Sequence, residues 1–216
     1  MTGTLSKPLN IFLTGTIIVF ICESAALFPL PFDSPLKAAA AIRLTQILLL
    51  GVFLYLTPGG LRSAGLSRSA AGSGIKTGLL WSSGFGAIVL LAGVFLFCLN
   101  IDFLSLVRCH LPNQSMALFF LTGAIVSPIA EEVYFRGLLY PFLRQYGLLT
   151  AVLISSFVFA LFHFQTDSLP VIQIIGGLVF ALSFERSKSL LAPVIIHMLG
   201  NTALFSISLA NEGLSF

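Results

Sequence analysis

Long apolar segments recur along the whole chain, and they restrict its fold more than any other feature of the sequence. Segments such as residues 9–27 and 78–99 contain about twenty mostly apolar residues, enough to cross the roughly 30 Å of bilayer hydrocarbon as an α-helix. Only 9% of the 216 residues are charged and the mean hydropathy is +1.02, whereas soluble domains carry about 25% charged residues. The sequence therefore predicts an all-α, polytopic membrane bundle.

Turn and loop signals divide the chain into about seven predicted transmembrane helices. Residues 61–77 carry basic side chains among small residues and are predicted to form an interfacial or loop segment. Residues 100–115 are predicted to form a polar connection. No repeat or linker is visible, so residues 1–216 are predicted to form one transmembrane domain. The predicted spans are residues 9–27, 39–56, 78–99, 116–146, 148–164, 168–184 and 189–209.

The basic residues are divided unevenly between the two sides that seven spans create. Because Lys and Arg favour the cytoplasmic side, we expect a cytoplasmic N-terminus and an external C-terminus. The chain length is compatible with a prokaryotic cytoplasmic membrane. Basic residues spread over short loops do not make a nucleic-acid-binding patch, so no nucleic-acid partner is expected. One side carries Lys7, Arg62, Arg68, Lys76, Arg144, Arg186 and Lys188, and the other carries Lys37, Arg43 and Arg108.

Three charged residues stand in the fourth predicted span, where ionisable groups are costly and commonly mark functional sites. They are Glu131, Glu132 and Arg136. Positions four apart share a helix face, whereas adjacent positions diverge by about 100°. We therefore expect Glu132 and Arg136 to form a scaffold ion pair that leaves Glu131 free for chemistry. The alternative is that all three form one inert buried network.

A histidine stands near the end of the fifth predicted span. Gly147 lies sixteen residues after Glu131 and sixteen residues before His163. If the two spans form a hairpin that turns at Gly147, both groups rise about 24 Å from the turn and reach the same depth. A carboxylate and an imidazole that meet in a low dielectric are suited to activating water.

The last predicted span adds a second histidine and an amide. His197 and Asn201 are four residues apart and share a helix face. Considered alone, the pair is also explained by hydrogen bonds that join neighbouring membrane helices. Two of the three histidines, however, lie in spans beside polar partners, as do the only paired glutamates. This coincidence favours one shared site.

These motifs, in this order, resemble those of one known family. E-E-x-x-x-R at residues 131–136, F-x-x-x-H at 159–163 and H-x-x-x-N at 197–201 are similar to the CPBP family, also called Abi or CAAX-protease-like intramembrane proteases. The similarity extends over residues 127–201, whereas residues 1–115 carry no family motif. It implies catalytic core helices within residues 116–210.

The resemblance implies an intramembrane endopeptidase that hydrolyses a peptide bond in a membrane-embedded or lipidated substrate. By position, Glu131 and His163 match the family's water-activating pair. His197 and Asn201 match the residues that stabilise the oxyanion. The supporting positions of the family are matched by Glu132, Arg136 and Phe159.

The resemblance leaves two mechanisms open, because the family has been described both as metalloproteases and as metal-free proteases. Zinc accepts His and carboxylate ligands, and its ligands here would be Glu131, His163 and His197. The H-E-x-x-H motif of many zinc proteases is absent, so we expect a mechanism without a cofactor. Two other classes stay as alternatives, a binding or transport protein and a non-catalytic immunity protein on the same scaffold.

Overall fold

The computed structural model describes residues 7–101, 115–164 and 171–213. Within these ranges the chain is helical and contains no strand, so the predicted all-α fold is confirmed. The helices are α1 (Lys7–Ser24), α2 (Pro35–Leu56), α3 (Gly60–Ser63), α4 (Arg68–Cys98), α5 (Met116–Arg144), α6 (Leu148–Phe162), α7 (Val171–Ser187) and α8 (Leu191–Gly213).

Five of the described helices, α1, α2, α4, α5 and α8, are long and apolar enough to cross a membrane. The apolar helix α6 and the helix α7 are shorter, with 15 and 17 residues. Together these seven helices correspond to the seven predicted spans, and the polytopic membrane bundle is confirmed. The sidedness of the bundle and the extent of its single domain stay predictions.

The structure corrects the prediction for residues 61–77. In place of a loop or interfacial segment, the 31-residue helix α4 begins at Arg68 and continues into the third predicted span. The small residues at the start of α4 form a packing surface, because α4 lies closely against α8. A Cβ atom added to Gly74 would lie 3.1 Å from Cβ of Leu191 at the start of α8. Small residues let membrane helices approach each other in this way.

Two parts of the sequence prediction cannot be compared with the fold. Most of the predicted polar connection, residues 102–114, lies outside the described residues. The same holds for residues 165–170, which include the beginning of the sixth predicted span.

Helix α5 lies at the centre of the bundle, in contact with α1, α2, α6 and α8. Its residues Phe135 and Tyr140 belong to the main apolar core, together with Leu54 of α2 and Phe159 of α6. Many large apolar side chains of the other helices point outward. This distribution suits a bundle whose outer surface is surrounded by lipid rather than water.

Helix α5 changes its winding on both sides of the paired glutamates. π-Helical turns at Leu121–Val126 and Phe135–Leu139 flank the α-helical segment Ser127–Tyr134. Each π turn ends two residues before a proline, Pro128 or Pro141. A proline ring clashes with the carbonyl four residues earlier in a regular α-helix, and in both cases that carbonyl lies in the π turn. We attribute the wider turns to these two prolines.

The turn between α5 and α6 is made by Gly147. Its φ angle of +115° lies in a region that residues with a side chain rarely adopt. Helix α6 then returns along α5, as the hairpin prediction requires. The α5–α6 hairpin therefore fixes the relative depth of the groups on the two helices.

Candidate active site

Helices α5, α6 and α8 bring one carboxylate and two imidazoles together. Nε2 of His163 lies 3.6 Å from Oε2 of Glu131, and Nε2 of His197 lies 3.9 Å from the same oxygen. The equal-depth argument for Glu131 and His163 thus agrees with the structure. Their side chains are 14% and 30% exposed, whereas that of His197 is 6% exposed. The accessible members of the cluster are therefore Glu131 and His163.

The second glutamate has a different environment, inside the protein. Nη1 of Arg136 donates to Oε1 of Glu132 at 3.0 Å, and both side chains are fully buried. Nη2 of Arg136 donates to the carbonyl oxygen of Gly177 in α7, also at 3.0 Å. The guanidinium carbon lies 4.9 Å and 5.2 Å from the ring centres of Phe159 and Phe180. The ion pair expected at positions i and i+4 is confirmed.

His197 connects the two glutamates. Its Nδ1 lies 2.9 Å from Oε1 of Glu132, and its ring stacks on Phe180 with centres 4.6 Å apart. Oε1 of Glu132 already accepts from Arg136, and a carboxylate oxygen only accepts hydrogen bonds. Nδ1 of His197 is therefore the donor in this contact, and Nε2 faces Glu131. The sequence pattern pairs His197 with Asn201 and does not predict the contact of His197 with Glu132.

His163 is held in one orientation at the end of α6. Its Nδ1 lies 2.9 Å from the carbonyl oxygen of Phe159, and its ring lies 4.5 Å from the Phe159 ring. A carbonyl oxygen only accepts, so Nδ1 carries a hydrogen, and Nε2 faces Glu131. Phe159 thus contacts both Arg136 and His163, in the supporting position that the motif predicts for it.

Asn201 lies one turn beyond His197 on α8, with its amide turned toward α5. Its Nδ2 donates to the carbonyl oxygen of Gly123 at 2.9 Å. Gly123 belongs to the π turn Leu121–Val126, where α-helical hydrogen bonding is interrupted. This bond fixes the amide and leaves the second hydrogen of Nδ2 available.

Sequence reasoning missed three positions that hold the site together, namely Gly123, Gly177 and Phe180. A weak signal existed only for Gly177, which is one of two adjacent glycines in an apolar helix. A Cβ atom there would lie 3.1 Å from Cα of Ser156 in α6. The close approach of α6 and α7 brings the Gly177 carbonyl within reach of Arg136.

The donor atoms at the site are of types that zinc accepts, but their arrangement does not make a ready metal centre. Among residues 7–101, 115–164 and 171–213, no three His, Cys, Asp or Glu side chains form a group that could hold a metal ion. Zinc binding by Glu131, His163 and His197 and the mechanism without a cofactor both stay predictions.

Comparisons with known proteins point to one family. Residues 113–203 match the family model described as type II CAAX prenyl endopeptidase Rce1-like. The chain is 30% identical over 105 residues to the membrane-embedded CAAX protease MroQ of Staphylococcus aureus, which is 45% of this chain and 42% of that protein. It is 31% identical over 90 residues to the putative membrane peptidase YdiL of Bacillus subtilis, 41% of this chain and 36% of the relative. No solved structure matches.

The two alignments span about two fifths of the length of these curated relatives. The family match contains the three motifs in their order and the parts of α5 to α8 that bring Glu131, His163, His197 and Asn201 to one side of the bundle. Residues 113–203 of this chain thus match the Rce1-like family of CAAX-protease-type membrane peptidases, which confirms the resemblance that the three motifs predicted.

Proposed function

We propose that this chain is an intramembrane endopeptidase that hydrolyses a peptide bond in a membrane-embedded or lipidated substrate. The observation that carries the proposal is the position of the Glu131 carboxylate, within 3.9 Å of Nε2 of both His163 and His197 in a largely apolar bundle. The family match at residues 113–203 and the printed names of the two relatives support the same class of reaction.

Glu131 and His163 are suited to orienting and deprotonating a water molecule. The carboxylate oxygen and the lone pair of Nε2 are both acceptors, and their separation of 3.6 Å exceeds a direct hydrogen bond. One water can donate a hydrogen to each of them. As its oxygen attacks the scissile carbonyl, one proton passes to Glu131, and that proton later goes to the leaving amine.

His197 and Asn201 are suited to stabilising the carbonyl oxygen as it gains negative charge. The second hydrogen of Asn201 Nδ2 is one donor. His197 donates from Nε2 only when both ring nitrogens carry hydrogens, because Nδ1 already donates to Glu132. The proposed oxyanion site therefore uses His197 in its imidazolium form, between the carboxylates of Glu131 and Glu132.

The class of reaction is tested directly with purified protein in lipid and a library of membrane-spanning and lipidated peptides. Mass spectrometry of the products shows whether a peptide bond is cut and where. Binding of peptides without any cleavage would support the non-catalytic alternative and contradict the proposal.

Asn201→Ala is expected to lower turnover by roughly 10² to 10³, the range for loss of one oxyanion donor. KM should change little, because the lost hydrogen bond strengthens only as charge develops on the carbonyl oxygen. Thr202→Ala is the matched control, since the hydroxyl of Thr202 is exposed and bonds the carbonyl of Met198 in its own helix. Equal turnover for the two variants would remove Asn201 from the oxyanion site.

We further propose that the reaction needs no metal, because Glu131 and His163 supply the base and His197 and Asn201 the oxyanion donors. Activity is then expected to survive prolonged treatment with a strong chelator. The measurement is the cleavage rate before and after chelation, together with elemental analysis of the active protein. One tightly held zinc per chain, lost together with activity in His197→Ala, would establish the zinc-dependent alternative instead.

A further inference from the structure

A pocket lies at one end of the bundle, away from the glutamates and histidines of the candidate active site. Its volume is about 510 Å³. It lies where the beginning of α1, the short helix α3 and the last turns of α5 and α7 meet, with Lys7, Arg62, Arg144 and Lys188 in its lining. The ends of spanning helices lie near the boundary between hydrocarbon and lipid headgroups.

The lining of this pocket has an excess of positive charge. Glu185 is the one acidic residue among the described residues that line it, and it binds Arg144 at 3.2 Å and Lys188 at 2.6 Å. Lys7 and Arg62 are exposed, and neither makes an ion pair with the residues that the structure describes. Two basic side chains are thus available to a negatively charged ligand.

The walls below the basic residues are apolar. Ile11 of α1, Phe142 of α5 and the buried Phe184 of α7 line the same pocket. The Phe142 ring stacks on Phe12 with centres 4.7 Å apart, which joins α1 to the end of α5 along this wall. The pocket therefore offers a basic rim above an apolar wall, as an amphiphilic ligand requires.

We propose that this pocket binds the phosphate group of an anionic phospholipid. Lys7 and Arg62 contact the phosphate, while an acyl chain lies against Ile11 and Phe142. Basic pockets between membrane helices at the headgroup level are suited to such lipids, and the excess of positive charge selects an anionic lipid over a zwitterionic one. The site does not depend on the proposed peptidase activity.

The test uses the full chain and a double variant, Lys7→Gln with Arg62→Gln. Phosphatidylglycerol bound to the purified protein is counted by native mass spectrometry, with phosphatidylcholine as the comparison lipid. Because each basic side chain near an anionic lipid surface is worth about fivefold in binding, the double variant is expected to bind phosphatidylglycerol roughly 30-fold more weakly. Arg68→Gln is the matched control, since Arg68 is exposed at the start of α4 and does not line the pocket.

Two results would overturn the proposal. The first is equal retention of phosphatidylglycerol by the parent and the double variant. The second is displacement of the lipid by millimolar inorganic phosphate that also raises the melting temperature without lipid, which would make a soluble phosphate the ligand. Both variants should melt at the parent's temperature in neutral lipid, so weaker binding by the double variant is not caused by unfolding.

Discussion

Glu131→Gln is expected to abolish peptide hydrolysis while the protein stays folded. The amide is nearly the same size as the carboxylate but does not accept the proton of the attacking water. Loss of a general base typically lowers the rate by about 10² to 10⁴. The side chain is partly accessible, and its distances of 3.6 and 3.9 Å to the two histidine nitrogens exceed those of direct hydrogen bonds. Little stability should therefore be lost.

The measurements are the initial rate of cleavage of a peptide from the library and the melting temperature in detergent. Glu132→Gln is the informative comparison, because it removes the same charge from the adjacent position. We expect that variant to lower the folded yield as well as the rate. A Glu131→Gln protein with more than about a tenth of the parent rate would exclude Glu131 as the base.

Helix geometry explains why much of the site could be predicted from the sequence. The pairing of Glu132 with Arg136 follows from 3.6 residues per turn, and the meeting of Glu131 with His163 follows from the constant rise per residue on both sides of Gly147. Both arguments use distances along one chain segment or across one tight turn. They hold despite the π turn at Phe135–Leu139, because helices in a membrane must satisfy their own backbone and therefore continue as helices.

Contacts between helices that are distant in sequence could not be predicted in this way. The contact of His197 with Glu132 depends on the rotation of α8 relative to α5, which no periodicity in either helix determines. The bond from Asn201 to Gly123 depends on the π turn, whose link to Pro128 becomes visible only in the structure. The small residues at the start of α4 were predicted to form a loop. Their packing on α8 could not be inferred from the sequence of α4 alone.

Arg136→Ala is expected to destabilise the fold by about 3 to 5 kcal/mol, the cost of removing one partner from a buried ion pair. Arg136 is fully buried and its two Nη atoms donate to Glu132 and to the Gly177 carbonyl. Its loss leaves the buried Glu132 carboxylate with His197 as the one partner among the described residues. It also opens a cavity beside Phe159.

Arg144→Ala is the control that separates the effect of burial from the effect of losing a positive charge. Arg144 lies in the same helix and pairs with Glu185, but its side chain is 44% exposed, and exposed ion pairs contribute about 1 kcal/mol or less. Unfolding of both variants by denaturant in detergent gives the comparison. Equal stability of the two variants would show that the buried contacts of Arg136 with Glu132 and Gly177 do not stabilise the fold. A double variant, Glu132→Gln with Arg136→Met, leaves no stranded charge and is expected to recover part of the lost stability, because a buried pair replaced by groups of similar volume is often tolerated. If stability returns without activity, the pair positions His197 for catalysis in addition to supporting the fold.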